Sequence, residues 1–256
     1  MRLGVALACL LLAGCATPPD RLPLAQACED CHGRGADFWL QGCTAIDAAY
    51  SVDAAAVRSR LPPGYSLRSY DPTTENVYPV STRFGECKSA ALDNATVLET
   101  VRIVMTFVAV VAPPDASRPP DLFLLEGYVD NALLAARWGE LGFNVQQATI
   151  DRSADSALAH WSVQDTAGGS LDLRLGGVTA RHNTASADWR MHGQGLGLAG
   201  AFDSSTREGV GDVSLAGSLQ GTLPNTVAAA PAGMAPVAAY SVDADYHWIF
   251  VSEENA

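Results

Sequence analysis

Residues 96–112, TVLETVRIVMTFVAVVA, form the most β-prone run in the chain. Val, Ile, Thr and Phe fit a pleated sheet better than a helix, and Glu99 and Arg102 interrupt what would otherwise be a membrane-length apolar stretch. Val97, Glu99, Val101, Ile103 and Met105 alternate with Leu98, Thr100, Arg102 and Val104, and beyond Ile103 both faces turn apolar. The pattern predicts a long strand that starts half-polar and ends covered on both sides. Residues 122–150 change period. An apolar run at 122–125 reads as a strand. Asn131 caps a short helix carrying Ala132 to Ala136, Gly139 and Gly142 break it, and 143–150 is again a strand.

Upstream, residues 51–61 read as a helix with Ser51 or Asp53 at its N-cap, stopped by Pro62-Pro63-Gly64, and 77–87 reads as a strand. Downstream, strands are expected at 157–164, 171–179, 187–194, 210–219 and 238–251. Turn residues at 165–169, 176–177, Asn183 and 203–209 separate them. Gly193, Gly195, Gly197 and Gly200 fit a bulged, tightly curved strand. Residues 113–120 and 226–236 read as loops. The fold class is α+β, predominantly antiparallel β, with a few short helices.

Two segments in order carry a family resemblance. Val52-Asp53 through Leu61-Pro62-Pro63-Gly64, and Tyr128-Val129-Asp130-Asn131 leading through a helix to Gly142-Phe143, resemble the acetoacetate decarboxylase-like family. The resemblance implies a β-barrel, and a strand after the Gly-Phe turn that carries a Schiff-base lysine into its cavity. Here Asn144 stands where proline is usual, and Val145 and Gln146 stand where lysines would lie. Arg137 is followed by Trp138, not glutamate. Neither an aliphatic nor an amide side chain forms an imine, and of 16 basic residues only Lys88 is a lysine. The resemblance therefore implies a decarboxylase-like barrel that binds a small apolar or carboxylate ligand without decarboxylase activity. The alternative is an enzyme of another reaction on the same scaffold, since arginine grips carboxylates and a buried glutamate serves as a base. Glu99, Arg102, Glu126, Arg137, Glu140, Phe143 and Val145 are the pocket candidates.

Charge narrows the partners. A net charge of −12 and a pI near 4.7 argue against nucleic acid and against anionic lipid surfaces. The N-terminus changes the picture of where the chain works. Met1-Arg2, an apolar stretch at 4–12, and Leu12-Ala13-Gly14-Cys15 resemble a bacterial lipoprotein signal. Cys15 would then be the lipidated mature N-terminus, the protein's membrane contact. Ala16 in place of aspartate favours the outer membrane of the cell envelope over the inner. The expected organisation is a signal peptide at 1–14, a tether and Cys-rich leader at 15–43, and the barrel domain at 44–256.

Setting aside Cys9 and Cys15 leaves Cys28, Cys31, Cys43 and Cys87. Four cysteines in an oxidising compartment suit two disulfides with three possible pairings, in which Cys28 or Cys31 would staple the leader to the domain. Cys28-Glu29-Asp30-Cys31-His32 also fits the attachment pattern of haem c, which gives a further alternative, a haem lipoprotein. Otherwise no cofactor or metal is expected. His32, His160, His182, His192 and His247 form no H-x-x-x-H pattern, and there is no G-x-S-x-G elbow. His160-Trp161 reads as an amphipathic strand position, and no Ser–His–Asp set stands out. The lipid site is directly testable. A palmitate analogue fed to cells should label the wild type and not Cys15→Ser, and equal labelling of both would remove the anchor.

Overall fold

The computed structural model describes residues 36–68, 77–92, 96–111, 121–154, 158–176, 178–179, 188–193, 198–206, 211–213, 217–221 and 238–252. Cys15, Cys28, Cys31, His32, Asn183, Gly195, Gly197 and the loops at 113–120 and 226–236 lie outside them. The first strands are β1 (Ala36–Asp53), β2 (Ser66–Leu67), β3 (Val77–Leu92), β4 (Thr96–Val111) and β5 (Asp121–Val129). Helix α1 (Ala54–Arg58) follows β1, and α2 (Ala132–Glu140) follows β5. Then come β6 (Val145–Ala154), β7 (Leu158–Asp165), β8 (Ser170–Gly176), β9 (Val178–Thr179), β10 (Asp188–His192), β11 (Leu198–Thr206), β12 (Gly211–Val213), β13 (Gly217–Gly221) and β14 (Ala238–Ser252).

These strands build one curled, mainly antiparallel sheet. Pairings run from β5 through β4, β3, β1, β14, β11 and β10, and β10 returns to β5. Among the described residues, only the β5–β10 and β5–β6 pairs are parallel. One edge of β5 lies along β4. The other edge is divided: Leu122 and Phe123 pair with β10, and Gly127 to Val129 pair with β6. From β6 the antiparallel extension β6–β7–β8–β13 grows outward.

Two apolar clusters lie on opposite faces of β4. Val101, Ile103 and Met105 join the cluster under α2, and Val104, Val108 and Val110 join the one shared with α1 and β6–β8. This is the double covering expected beyond Ile103. Before that point the alternation breaks, because Thr100 takes a positive φ of 47° and Val97 is 69% exposed. Leu134, Ala135 and Trp138 are the buried face of α2. Trp138 stacks on Phe38 at 5.7 Å and meets Phe143 edge-on at 5.3 Å. Asn131 caps the helix as expected, its side chain accepting from Leu133 N and Leu134 N. Gly139, expected to break the helix, lies inside it; the break comes at Gly142, whose φ of 84° only glycine takes at low cost.

Three expectations change. The first strand begins at Ala36, inside the segment assigned to the leader, with Phe38 and Leu40 in the core. The first helix is five residues long, capped by Asp53, because β1 continues through Ser51. Asp203 to Thr206 belong to β11, not to a turn.

The domain cysteines pair with each other: a Cys43–Cys87 disulfide crosslinks β1 and β3. The register sets Gln41 opposite Ser89 and Thr44 opposite Glu86, which puts Cys43 across from Cys87. Neither is then left to staple the leader to the domain, which corrects that part of the cysteine expectation. Gly42, at φ 60°, makes the bulge against β14 beside this bond. Replacing both cysteines by alanine is expected to lower the unfolding free energy by about 2–4 kcal/mol, read from urea melts. A change below about 0.5 kcal/mol would mean that the flanking ladders already hold the pair.

Candidate functional site

On the face of the sheet that β6–β8 cover, cross-strand registers set side chains in rows. Phe84, Val104 and Tyr128 make an apolar row across β3, β4 and β5. The next row is polar: Thr82, Thr106 and Glu126, all buried. Thr82 Oγ1 and Thr106 Oγ1 are 3.1 Å apart, and Glu126 is 2% exposed. A carboxylate in such a place carries a large desolvation cost unless a cation or donors answer it. Arg60 Nη1 lies 3.9 Å from Glu126 Oε2. It is brought there by the early end of α1, after which the chain turns back through Pro62-Pro63-Gly64.

The same turn delivers Tyr65. Its ring meets Phe123 edge-on at 5.3 Å, and its hydroxyl lies 3.1 Å from His192 Nδ1. His192 is buried on β10, where the parallel pairing holds it opposite Phe123. Just beyond, Gly193 lets β10 run against the α2–β6 turn: a Cβ there would lie 2.7 Å from Gly142 O and 2.9 Å from the Phe143 ring. Between Thr106 and Phe107 the β4–β5 register slips, leaving Leu125 unopposed. Asn144 Nδ2 donates to Leu125 O at 3.0 Å, so the asparagine in the family's proline position supplies a donor that proline's ring cannot.

At the other end of this face sits a charged cluster. Glu86 accepts from Arg102 Nε at 2.7 Å and from Arg152 Nη1 at 2.9 Å. Arg102 also donates to Ile150 O at 3.2 Å, and Arg152 lies over the Trp161 ring at 5.4 Å. Asp130 accepts from the Arg102 backbone at 2.9 Å. Partial burial works against the Glu86 charge, but the hydrogen bond from Arg102 and the charges of Arg152 and Arg102 outweigh it, so its pKa is lowered. For Asp130 burial wins and the pKa is raised, with Arg102 partly offsetting it.

Among the expected pocket residues, the structure brings Glu126 and Arg102 to this face, at separate rows. Glu99 is exposed near the start of β4. Arg137 and Glu140 pair with each other at 2.9 Å along α2, where their i,i+3 spacing makes them neighbours outside its buried face. Phe143 and Val145 are buried in the cluster under α2, where Val145 packs against Gly127. Sequence reasoning missed Thr82, Thr106, Arg60, Tyr65 and His192. For the threonines a signal existed: each is the polar member of an otherwise apolar alternation. For the others there was none: only the tertiary fold brings Arg60 to Glu126 and Tyr65 to His192. Among the described residues no group of three or more His, Cys, Asp or Glu is placed to hold a metal ion.

The charged cluster carries a pH signature. A lowered carboxylate pKa stabilises the fold above the unfolded value of 4.5 and loses that contribution as pH falls through the folded value. Glu86→Gln should therefore cost about 1 kcal/mol at pH 7, as for half-exposed pairs, with the deficit shrinking below pH 4.5. Asp130 has the opposite sign. Its raised pKa favours the fold at low pH, and that contribution is lost as pH rises from 3.8 through the folded value. Asp130→Asn keeps the Oδ1 acceptor, so it should be neutral or stabilising at pH 7. Parallel stability–pH curves for wild type and both variants would contradict these assignments.

No known family profile matches the chain. No curated protein matches it either. Solved structures do. An acetoacetate decarboxylase superposes with a TM-score of 0.56 at 11% identity, over 84% of this chain and 89% of that one. The acetoacetate decarboxylase of Legionella pneumophila gives 0.54 at 14% identity, over 86% and 88%. The enduracididine biosynthesis enzyme MppR, complexed with the condensation product of pyruvate and imidazole 4-carboxaldehyde, gives 0.53 at 12% identity, over 84% and 87%. With the curled sheet, the parallel βαβ unit at β5–α2–β6 and these neighbours together, the chain has the acetoacetate decarboxylase-like fold.

Proposed function

We propose that this protein is a lipid-tethered binding module whose covered sheet face takes a small carboxylate or apolar ligand, and that it carries out no imine chemistry. The observation that carries this reading is the placement of the amine. Lys88, the one lysine, is exposed beside Gly42 on β3, far in sequence from the turn at Gly142. Val145 is packed in the apolar cluster under α2, and Gln146 is exposed. An imine route needs an uncharged amine held in a dry site, and among the described residues the interior offers none.

The covered face combines apolar walls with a few convergent polar groups, which is the chemistry of small-ligand sites. Arg60 beside Glu126 supplies the cation that a carboxylate ligand needs, and Thr82 and Thr106 supply hydroxyls. The likeness to an enzyme crystallised with pyruvate supports a small oxo acid as the first ligand to try. The Leu-Ala-Gly-Cys motif supports anchoring through Cys15 at the outer membrane. A second reading, an enzyme of another reaction, draws on Glu126 itself: a buried carboxylate beside an arginine is placed to act as a base on a bound carboxylate substrate.

Calorimetry with pyruvate and acetoacetate is expected to show binding that weakens at least about tenfold in Arg60→Ala, a loss of roughly 1.4 kcal/mol. Borohydride added to the wild type with acetoacetate should leave the protein mass unchanged. A reduced adduct on Lys88 would overturn the non-imine reading. Turnover of pyruvate or acetoacetate that leaves no borohydride-trapped adduct and is lost in Glu126→Gln would replace it with the second.

A further inference from the structure

On the side facing away from the core, β6, β7 and β8 present a polar, accessible surface. Strand alternation puts Ile150, Trp161, Val163, Leu171 and Leu173 inward, and so turns their neighbours outward. The register sets Ser153 opposite His160, and His160 opposite Arg174. Asp172, two residues from Arg174 on β8, shares that outward face.

His160 Nε2 lies 2.6 Å from Asp172 Oδ2, and His160 Nδ1 lies 3.5 Å from Ser153 Oγ. Arg174 Nε donates to Asp172 Oδ1 at 3.0 Å, which fixes the carboxylate. A carboxylate only accepts, so the neutral imidazole carries its proton on Nε2. That leaves the Nδ1 lone pair directed at the serine hydroxyl. A hydroxyl that can pass its proton to a base, with the base oriented by a carboxylate, is the relation that activates a nucleophile. It is recognised by roles and geometry, not by order along the chain. The 3.5 Å separation is long, as such contacts often are before substrate binds. Ser153 is exposed, and the side chains of His160 and Asp172 are 30% and 34% accessible, so a small acyl donor can reach the row.

We propose that Ser153, His160 and Asp172 form an acyl-transfer site for small esters on the outer face of β6–β8, separate from the covered face and from any ligand there. Ser153 Oγ attacks the ester carbonyl carbon while its proton passes to His160 Nδ1. The carbon–oxygen bond to the alcohol breaks, and the departing oxygen takes that proton. An ester on Ser153 remains. Water then attacks this ester, giving a proton to His160 Nδ1, and the carboxylic acid leaves as Ser153 Oγ recovers the proton. Asp172 is a positioning residue that holds the tautomer and ring orientation.

Acylation needs only the nucleophile and its base, so the covalent intermediate is the readout. The full chain treated with p-nitrophenyl acetate, quenched in acid and digested, should carry an acetyl group on Ser153. Ser153→Ala should abolish it, and His160→Gln should slow it about 100-fold. Asp172→Asn should slow it and Asp172→Glu should restore part of the rate, a rescue that mere support of the fold would not show. No acetyl group at Ser153 in the wild type, or an unchanged rate in His160→Gln, overturns the proposal. A fluorophosphonate probe on the wild type needs no variant. Labelling at Ser153 supports the site, and labelling only elsewhere overturns it.

Discussion

Strand β5 has one free edge after pairing with β4, and two strands use it. At Leu122 and Phe123 that edge takes β10 and closes the curl of the sheet, and at Gly127 to Val129 it takes β6 and starts the extension. Both pairings are parallel, and each is short. Because of this division β5 is covered on both faces, and Phe123 to Val129 are all buried, the charged Glu126 included. The division also demands that the strand shift its phase. The slip at Leu125 does this, and it turns Glu126 onto the same face as Thr82 and Thr106. The place of the carboxylate beside the two threonines is thus a product of the bulge: in a regular strand with Leu125 paired, position 126 would face the other way.

The legible parts of the chain were those whose pattern was local. The apolar run at 96–112 set β4 and its double covering. Asn131 and Gly142 set the ends of α2 almost to the residue. The Gly-Phe turn and the Leu-Pro-Pro-Gly ending, with the resemblance they carry, led to the right fold. What failed was long-range or marginal in period. β1 hides its start in ADFWLQG, where a tryptophan, a glutamine and a bulge-forming glycine blur the alternation, and only its place between β3 and β14 makes it a strand. Asp203 to Thr206 have turn composition but pair in β11, tertiary pairing prevailing over local preference.

The site residues divide the same way. Glu126 stands out in sequence as a charge inside an apolar strand, and burial followed. Arg137 and Glu140 lie near a family motif, but the helix buries Leu134, Ala135 and Trp138 and leaves them off that face. Arg60 reaches Glu126, and Tyr65 reaches Phe123 and His192, because α1 is short enough to return the chain over β5. The Ser153–His160–Asp172 row is invisible in one dimension. It depends on two hairpin registers, and a one-residue slip in either would turn one member of the row inward.

Gly193 gives this architecture an unusual sensitivity. A single methyl group there would have to occupy space held by a backbone carbonyl and an aromatic ring edge, neither of which is the yielding end of a long side chain. The strand that closes the curl and the turn that launches the extension are thereby in mechanical register, and a displacement of one is transmitted to the other. A ligand that moved the Gly142-Phe143 turn by a fraction of an ångström would press directly on the seam beside His192. The α2–β6 turn and the closure of the sheet are thus joined through a contact that has no side chain on one of its two sides.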